Sequence, residues 1–170
     1  MIKTIIYTQR VEIVESYGER RDCADQNIPR FLEACGYMPV PVPNVICALE
    51  QYVEKTAPAG ILLTGGNSLA SYGGNAPERD DTDKRLLEIA IEKDIPVYGF
   101  CRGMQSILDY FGCGLENVSG HVAVRHPVQG EWGAWTVNSY HNQACREVKE
   151  PLRAVETAED GIIEAVECRG

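Results

Sequence analysis

Ile95-Pro96-Val97-Tyr98-Gly99-Phe100-Cys101-Arg102-Gly103-Met104-Gln105-Ser106-Ile107-Leu108 decides the reading of this chain. Pro96 to Phe100 reads as a strand, and Arg102 to Phe111 as a helix. Between them lies Gly99-x-Cys101-x-Gly103, the cysteine counterpart of the G-x-S-x-G turn that lifts a nucleophile above a sheet. The turn is tight, and bulky residues two positions from the nucleophile would clash, which accounts for Gly99 and Gly103. Cys101 then stands at a helix N-terminus, where free N–H groups and the helix dipole favour negative charge. Sulfur there attacks an amide carbonyl to form a thioester, and the backbone N–H of Arg102 points at the developing oxyanion. A buried structural cysteine is the plainer reading of G-x-C-x-G alone; strand, turn and helix in this order favour the nucleophile.

Upstream, Gly60-Ile61-Leu62-Leu63-Thr64 reads as a buried parallel strand running into Gly65-Gly66, where glycine lets the backbone approach a ligand closely. The N–H of Gly66 is the candidate for a second oxyanion donor. Ile2 to Thr8 opens the chain as a strand, and Gln9 to Asp22 reads as a polar loop. Helical spacing follows over Cys23 to Cys35, with Gly36 as its stop. Tyr37 to Val42 is a strand that its prolines place at an edge, and Val45 to Lys55 is a helix. Asn67 to Asp81 reads as a loop in which Gly73 and Gly74 permit movement. Asp81 or Thr82 is a candidate cap for a helix over Asp83 to Lys93. From Val118 the apolar period approaches two. Alternating strands and helices with a strand-rich end predict a single α/β domain over residues 1–170, built on a largely parallel sheet.

The 170 residues carry 25 acidic and 16 basic side chains, a formal net charge of −9. Such a chain repels nucleic acid and anionic lipid on average, so neither is an expected partner. Arg20, Arg21, Arg79 and Arg102 remain as candidates to hold a small anion. The seven cysteines are odd in number and show no C-x-x-C, which argues against a disulfide framework or a zinc site. Reduced thiols in a cytoplasmic protein fit better. The apolar stretch at Met1 to Tyr7 is too short for a signal peptide.

Gly65-Gly66, the turn at Cys101 and Gln105 four residues later resemble, in order and spacing, the class I glutamine amidotransferase superfamily. The similarity covers nearly the whole chain. Within the superfamily, Cys101-Arg102-Gly103 and Asn138-Ser139-Tyr140-His141-Asn142 resemble the γ-glutamyl hydrolase, or peptidase C26-like, branch. The resemblance implies a flavodoxin-like three-layer sandwich and hydrolysis of a γ-glutamyl amide without a cofactor. It also implies an oxyanion hole from Gly66 and Arg102, and substrate contacts from Gln105 and from Asn138, Ser139, Tyr140 and His141. Thr8-Gln9-Arg10, Arg79-Asp80 and the cluster Tyr17, Glu19, Arg21 and Asp22 are similar to members that hydrolyse a γ-glutamyl nucleotide amidate in capsule phosphoramidate synthesis. Arg21 then meets a diphosphate and Tyr17 a base or sugar, although a solvated charged loop fits those residues equally well. Other branch members imply a γ-glutamyl-polyamine or γ-glutamyl-GABA substrate, or a glutaminase subunit passing ammonia to a synthetase partner. A catalytically incomplete binding protein and a homodimer are further alternatives.

The resemblance also implies a His-x-Glu pair after the last strands, and none occurs among His121, His126 and His141. Two readings fit: a C-terminal segment absent from this chain carries the pair, which is the favoured one, or His141 serves as the base. His121 and His126 read as partly exposed positions on a strand. Their i, i+5 spacing puts them on opposite faces of a regular strand, so no metal site is expected.

Overall fold

A computed structural model describes residues 2–168; Met1, Arg169 and Gly170, on which the readings of the two ends touch, lie outside the described residues. The backbone clusters into two compact units, residues 1–106 and 107–170.

The first unit opens with β1 (Thr4–Tyr7) and the hairpin β2 (Arg10–Val14) and β3 (Glu19–Cys23), followed by α1 (Asn27–Ala34) and β4 (Met38–Pro41). Next come α2 (Leu49–Thr56), β5 (Gly60–Leu63), a 3₁₀ turn at Ala70–Tyr72, α3 (Pro77–Lys93) and β6 (Val97–Gly99), and α4 (Arg102–Tyr110) starts here. Its main sheet is parallel, in the order β4-β1-β5-β6. Counting parallel strands alone, that order is 2-1-3-4, the flavodoxin-like arrangement, in which ligands bind outside the carboxyl ends of the strands where the order reverses. Here the reversal falls between β1 and β5. All four residues of β5 are buried, as a central strand covered on both faces requires. β4, with its prolines, is one edge of this sheet and β6 the other.

Several boundaries differ from the sequence reading, each for a local reason. Gln9 to Asp22 is not a loop but the hairpin β2–β3, whose outward residues are almost all charged. Its second strand, Glu19–Cys23, is polar on both faces and carries no period-two signal, and the alternation in β2 is confined to Val11 and Ile13. The α1 helix starts at Asn27 rather than Cys23, α2 at Leu49 rather than Val45, and α3 at Pro77 rather than Asp83. Neither Asp81 nor Thr82 caps α3. Pro77 begins it, a position where the missing N–H costs nothing. Gly36 does end α1, at φ +84° with its N–H on Glu33 O. By contrast α2 and α3 end on left-handed Ala57 and Asp94, which no glycine announces. Gly73 and Gly74 close a tight turn: a Cβ on Gly74 would meet Ser68 O at 1.8 Å.

The second unit comprises β7 (Glu116–Asn117), β8 (Val122–Gly130), β9 (Gly133–Tyr140), β10 (Gln143–Ala144), β11 (Leu152–Ala158) and β12 (Ile163–Cys168). Its larger sheet is antiparallel, ordered β12-β11-β8-β9, and β7 pairs with β10. Val128, Ala144, Ala158 and Ile162 form an apolar core there, with Val118 and Val137 against it.

Candidate active site

β6 delivers the chain to Cys101, and α4 leaves it. Leu63 pairs with Gly99 across β5 and β6, and Phe100 N–H continues the pairing to Leu63 O at 3.1 Å. Cys101 then turns to φ +54°, a left-handed conformation that costs a residue with a side chain about 1–3 kcal/mol and gathers at functional sites. Its carbonyl accepts the Gln105 N–H at 3.2 Å, and the Phe100 carbonyl accepts that of Gly103 at 2.9 Å, so the helix starts at once. Cys101 is exposed while Arg102, Gly103, Gln105 and Ser106 are buried. Cys101 precedes α4, and Gln105, whose N–H bonds the Cys101 carbonyl, is buried in the first turn of that helix.

The Arg102 side chain turns away from the thiol and is fully buried. It bonds Asp83 and Asp80 of α3, and its Nη1 reaches Ser106 Oγ at 3.0 Å. Ser106 donates in turn to Asp83 Oδ2 at 2.8 Å. The first turn of α4 is thus clamped to α3 by charge, and the Arg102 backbone is held where the nucleophile turn needs it. Breaking such a buried pair from one side costs roughly 3–5 kcal/mol.

The second glycine pair is braced just as firmly. Thr8 and Thr64 cross-link the ends of β1 and β5: Thr64 N–H donates to Thr8 Oγ1 at 3.0 Å, and Thr64 Oγ1 to Thr8 O at 2.8 Å. Gly65 lies against the thiol, since a Cβ on it would stand 3.5 Å from Cys101 Sγ. Gly66 has φ +90°. Arg79, fully buried, donates to Gly66 O at 2.8 Å and Thr64 O at 2.7 Å. Burial, with Arg102 close by, lowers the Arg79 pKa to about 10, so it keeps its charge and its donors near neutral pH. Neither Arg79 nor Arg102 is available for a dissolved anion, contrary to the sequence reading. Both are structural cations with carboxylate and carbonyl partners.

Asn67, at φ +43°, ties this turn to the hairpin: it accepts from Val11 N–H at 2.8 Å and donates to Val11 O at 2.9 Å. Asp22 anchors the other strand by accepting from Asn44 N–H at 3.0 Å and Asn44 Nδ2 at 2.6 Å. The hairpin is therefore fixed at its base, with its tip exposed. At that tip Arg21 donates to Glu19 at 2.5 Å and to the Tyr17 hydroxyl at 2.9 Å. Tyr17, Glu19 and Arg21 thus form one surface group. Arg20 points the other way and is tied to Glu78 and Asn75 O. A cavity of about 90 Å³ between Arg10, Cys23, Asp25, Ile28, Thr64, Gly65 and Phe100 opens beside Gly65.

In the second unit, Asn138 and Tyr140 are exposed, whereas Ser139 is buried and donates to His121 O at 2.8 Å. His141 lies 3.4 Å from Glu164 Oε1. His121 and His126 also approach that oxygen, at 3.4 and 3.3 Å, and their rings are 4.9 Å apart. The sequence reading put these two on opposite faces. The pairing of β8 with β9 shifts register between Val122 and Val124, with Ala123 at φ +55°. That bulge changes the parity of the strand and brings both rings to one side. His121 is also buried, not partly exposed. Of the other thiols, Cys113 and Cys145 are buried, and burial raises the Cys145 thiol to about 11.

The sequence reading missed Asp83, Ser106, Asp160 and Glu164. Asp83 and Ser106 lie on amphipathic helices where a polar residue on the buried face was the available sign. Asp160 and Glu164 gave none beyond their spacing around a strand.

A parallel 2-1-3-4 sheet with a cysteine turn after its last strand and a double-glycine turn after the central one defines the class I glutamine amidotransferase fold. A glutamine amidotransferase from Thermotoga maritima superposes with a TM-score of 0.72 over 99% of this chain and 72% of its own, at 14% identity. The chain belongs to the peptidase C26 family, whose profile matches residues 4–126 and 123–170. It is 31% identical to the gamma-glutamyl-CDP-amidate hydrolase of Campylobacter jejuni, over 93% of this chain and 80% of that one. The gamma-glutamyl-gamma-aminobutyrate hydrolase of Escherichia coli O157:H7 is 29% identical, over 77% of this chain and 67% of its own. The chain is accordingly an enzyme of the γ-glutamyl hydrolase and glutamine amidotransferase kind. No helix among the described residues is long and apolar enough to cross a membrane.

Proposed function

We propose that Cys101 is the nucleophile that cleaves a γ-glutamyl amide, with γ-glutamyl-CDP-amidate as the substrate, in the cytoplasm. The observation that carries the reading is the exposed Cys101 at φ +54°, seated between a braced double-glycine turn and the first turn of α4. Sulfur adds to the γ-carbonyl carbon, and the oxygen takes the charge. The N–H groups of Gly66 and Arg102 receive it, positioned by Arg79 and by the Asp83–Arg102 clamp; removing one such donor typically costs about 10²–10³-fold in rate. The carbon–nitrogen bond then breaks, and the amidate departs as cytidine diphosphoramidate, its nitrogen carrying the proton that the Cys101 thiol gave up. Water cleaves the thioester, releasing glutamate and restoring the thiol. Gln105 holds the glutamyl group from the first turn of α4. Tyr17, Glu19 and Arg21 meet the nucleotide, and in the second unit exposed Asn138 and Tyr140 are the candidates for substrate contact, Ser139 and His141 being engaged with His121 and Glu164.

The gamma-glutamyl-CDP-amidate hydrolase and the aminobutyrate hydrolase match at nearly equal identity; the wider match of the former, 93% of this chain against 77%, is the reason for testing this leaving group first. The test is glutamate release from γ-glutamyl-CDP-amidate and, separately, from glutamine, together with labelling by a glutamine-like diazoketone. The expected label is on Cys101 alone, with release faster from the nucleotide. Equal labelling of exposed Cys35 and Cys47, or release unchanged in Cys101→Ala, would sink the mechanism. Faster release from glutamine would favour an ammonia-supplying subunit.

A further inference from the structure

Three histidines and one carboxylate meet in the second unit. Glu164 Oε1 lies 3.4 Å from His121 Nδ1, 3.3 Å from His126 Nε2 and 3.4 Å from His141 Nε2. One donor atom each from His121, His141 and Glu164 falls within 4.8 Å of the other two. None of the four side chains is more than 17% exposed.

The hydrogen bonds around the rings set their tautomers. His121 Nε2 faces Asp160 Oδ2 at 2.9 Å, and a carboxylate accepts only, so this nitrogen carries the hydrogen. Ser139 Oγ lies 3.5 Å from His121 Nδ1 but spends its proton on His121 O. His121 Nδ1 is left with a lone pair aimed at Glu164. His126 Nδ1 faces the Pro127 carbonyl at 3.2 Å and must donate to it. His126 Nε2, buried and without a hydrogen-bond partner, then presents a second lone pair to the same oxygen. Two lone pairs against a carboxylate repel one another unless a proton or a metal cation lies between them.

We infer that His121, His141 and Glu164, with His126 against the same carboxylate oxygen, form a structural site for a divalent transition metal of the zinc class. Ligands about 2.0–2.2 Å from a tetrahedral zinc stand about 3.3–3.5 Å apart, which is the spacing of the three nitrogens from Glu164 Oε1. Three imidazoles and a carboxylate suit zinc, cobalt or nickel and not calcium or magnesium. Histidines that bind metal give their second N–H to a carboxylate or a backbone carbonyl, the parts taken here by Asp160 for His121 and the Pro127 carbonyl for His126, while His141 Nδ1 is buried without a hydrogen-bond partner. The left-handed Ala123 bulge is what turns His121 and His126 to one side, a strained feature with a ligand to explain it. The three ligands come from the residue before β8, the residue after β9, and β12, so the ion acts as a staple between them.

The test strips the full chain with a chelator and titrates it with zinc against a chromophoric competitor, then repeats it with cobalt for its visible spectrum. Expected are one ion per chain and the bands of four-coordinate cobalt with nitrogen and oxygen ligands. The expected loss of affinity is at least about tenfold in His141→Ala, Glu164→Gln and the outer variant Asp160→Asn, with the far-UV circular dichroism of the variants unchanged. No binding by the wild-type chain, thiolate charge-transfer bands, or equal affinity in the folded variants each overturns the site. If the variants do not fold, the cobalt spectrum of the wild-type chain decides alone. None of these readouts depends on amide hydrolysis.

Discussion

A Cβ placed on Gly103 would lie 2.1 Å from the carbonyl oxygen of Leu63. The first turn of α4 rests directly on the backbone of β5, and that contact sets the height of Cys101 above the sheet. Glycine is required here for close approach, not for its φ. Gly103→Ala must push the helix off the strand. The expected cost is about 1–3 kcal/mol, read as a lower urea midpoint, with a larger fall in glutamate release because the thiol moves with the helix. An unchanged midpoint would mean that the contact is not as close as this geometry has it.

Asp83 accepts from both Arg102 and Ser106 inside the first unit. Asp83→Asn keeps the shape but removes the charge opposite Arg102, leaving only Asp80, itself one-quarter exposed. A loss of roughly 3 kcal/mol is expected in denaturant unfolding. The double variant Asp83→Leu with Arg102→Met should recover most of it, because an apolar pair of similar volume avoids the desolvation of two charges. A double variant no better than the single one would show that the clamp is more than an ion pair.

Arg21 reaches the hairpin tip with Glu19 and Tyr17, and no buried group depends on it. Arg21→Ala should therefore leave the urea midpoint within about 0.5 kcal/mol, as exposed substitutions do. If the tip meets the nucleotide, KM for γ-glutamyl-CDP-amidate rises roughly tenfold, the worth of a lost charge-assisted hydrogen bond, while hydrolysis of glutamine is unaffected. Parallel changes for both substrates would assign the hairpin a structural part only.

The parallel sheet, the cysteine turn and the double glycine were legible because each rests on a local rule. β5 is an unbroken apolar run, Cys101 sits between a strand and a helix, and Gly103 admits no side chain. The hairpin was not legible: Glu12, Glu19, Arg20 and Arg21 face solvent, Val11 is its one buried apolar side chain among the described residues, and bonds to Asn67 and Asp22 hold it at its base. Nor was the histidine cluster. One register shift at Ala123 moved His126 from one face of β8 to the other, and period-two reasoning has no means of seeing a bulge. Arg79 and Arg102 were read as available cations because charge counts say nothing of burial.

Cys145 offers a contrast to the exposed thiol. It is 1% exposed, and burial, with Cys113 nearby, raises its pKa from the ordinary value of 9.0 to about 11. The folded chain therefore holds the proton over a range where the unfolded chain releases it. Its contribution to stability is complete below about pH 9 and is lost progressively as pH rises to about 11. Cys145→Ala lacks that titration but pays a pH-independent packing cost. The wild-type chain should be the more stable at pH 8, by the worth of the lost sulfur, and its advantage should shrink through the interval above 9. Urea midpoints of the two proteins across that range, compared at each pH so that tyrosine and lysine titrations cancel, measure the difference. The same burial predicts that iodoacetamide modifies Cys101 in the folded chain and reaches Cys145 only after unfolding. A difference that stays constant with pH, together with ready alkylation of Cys145, would mean that this thiol is open to water.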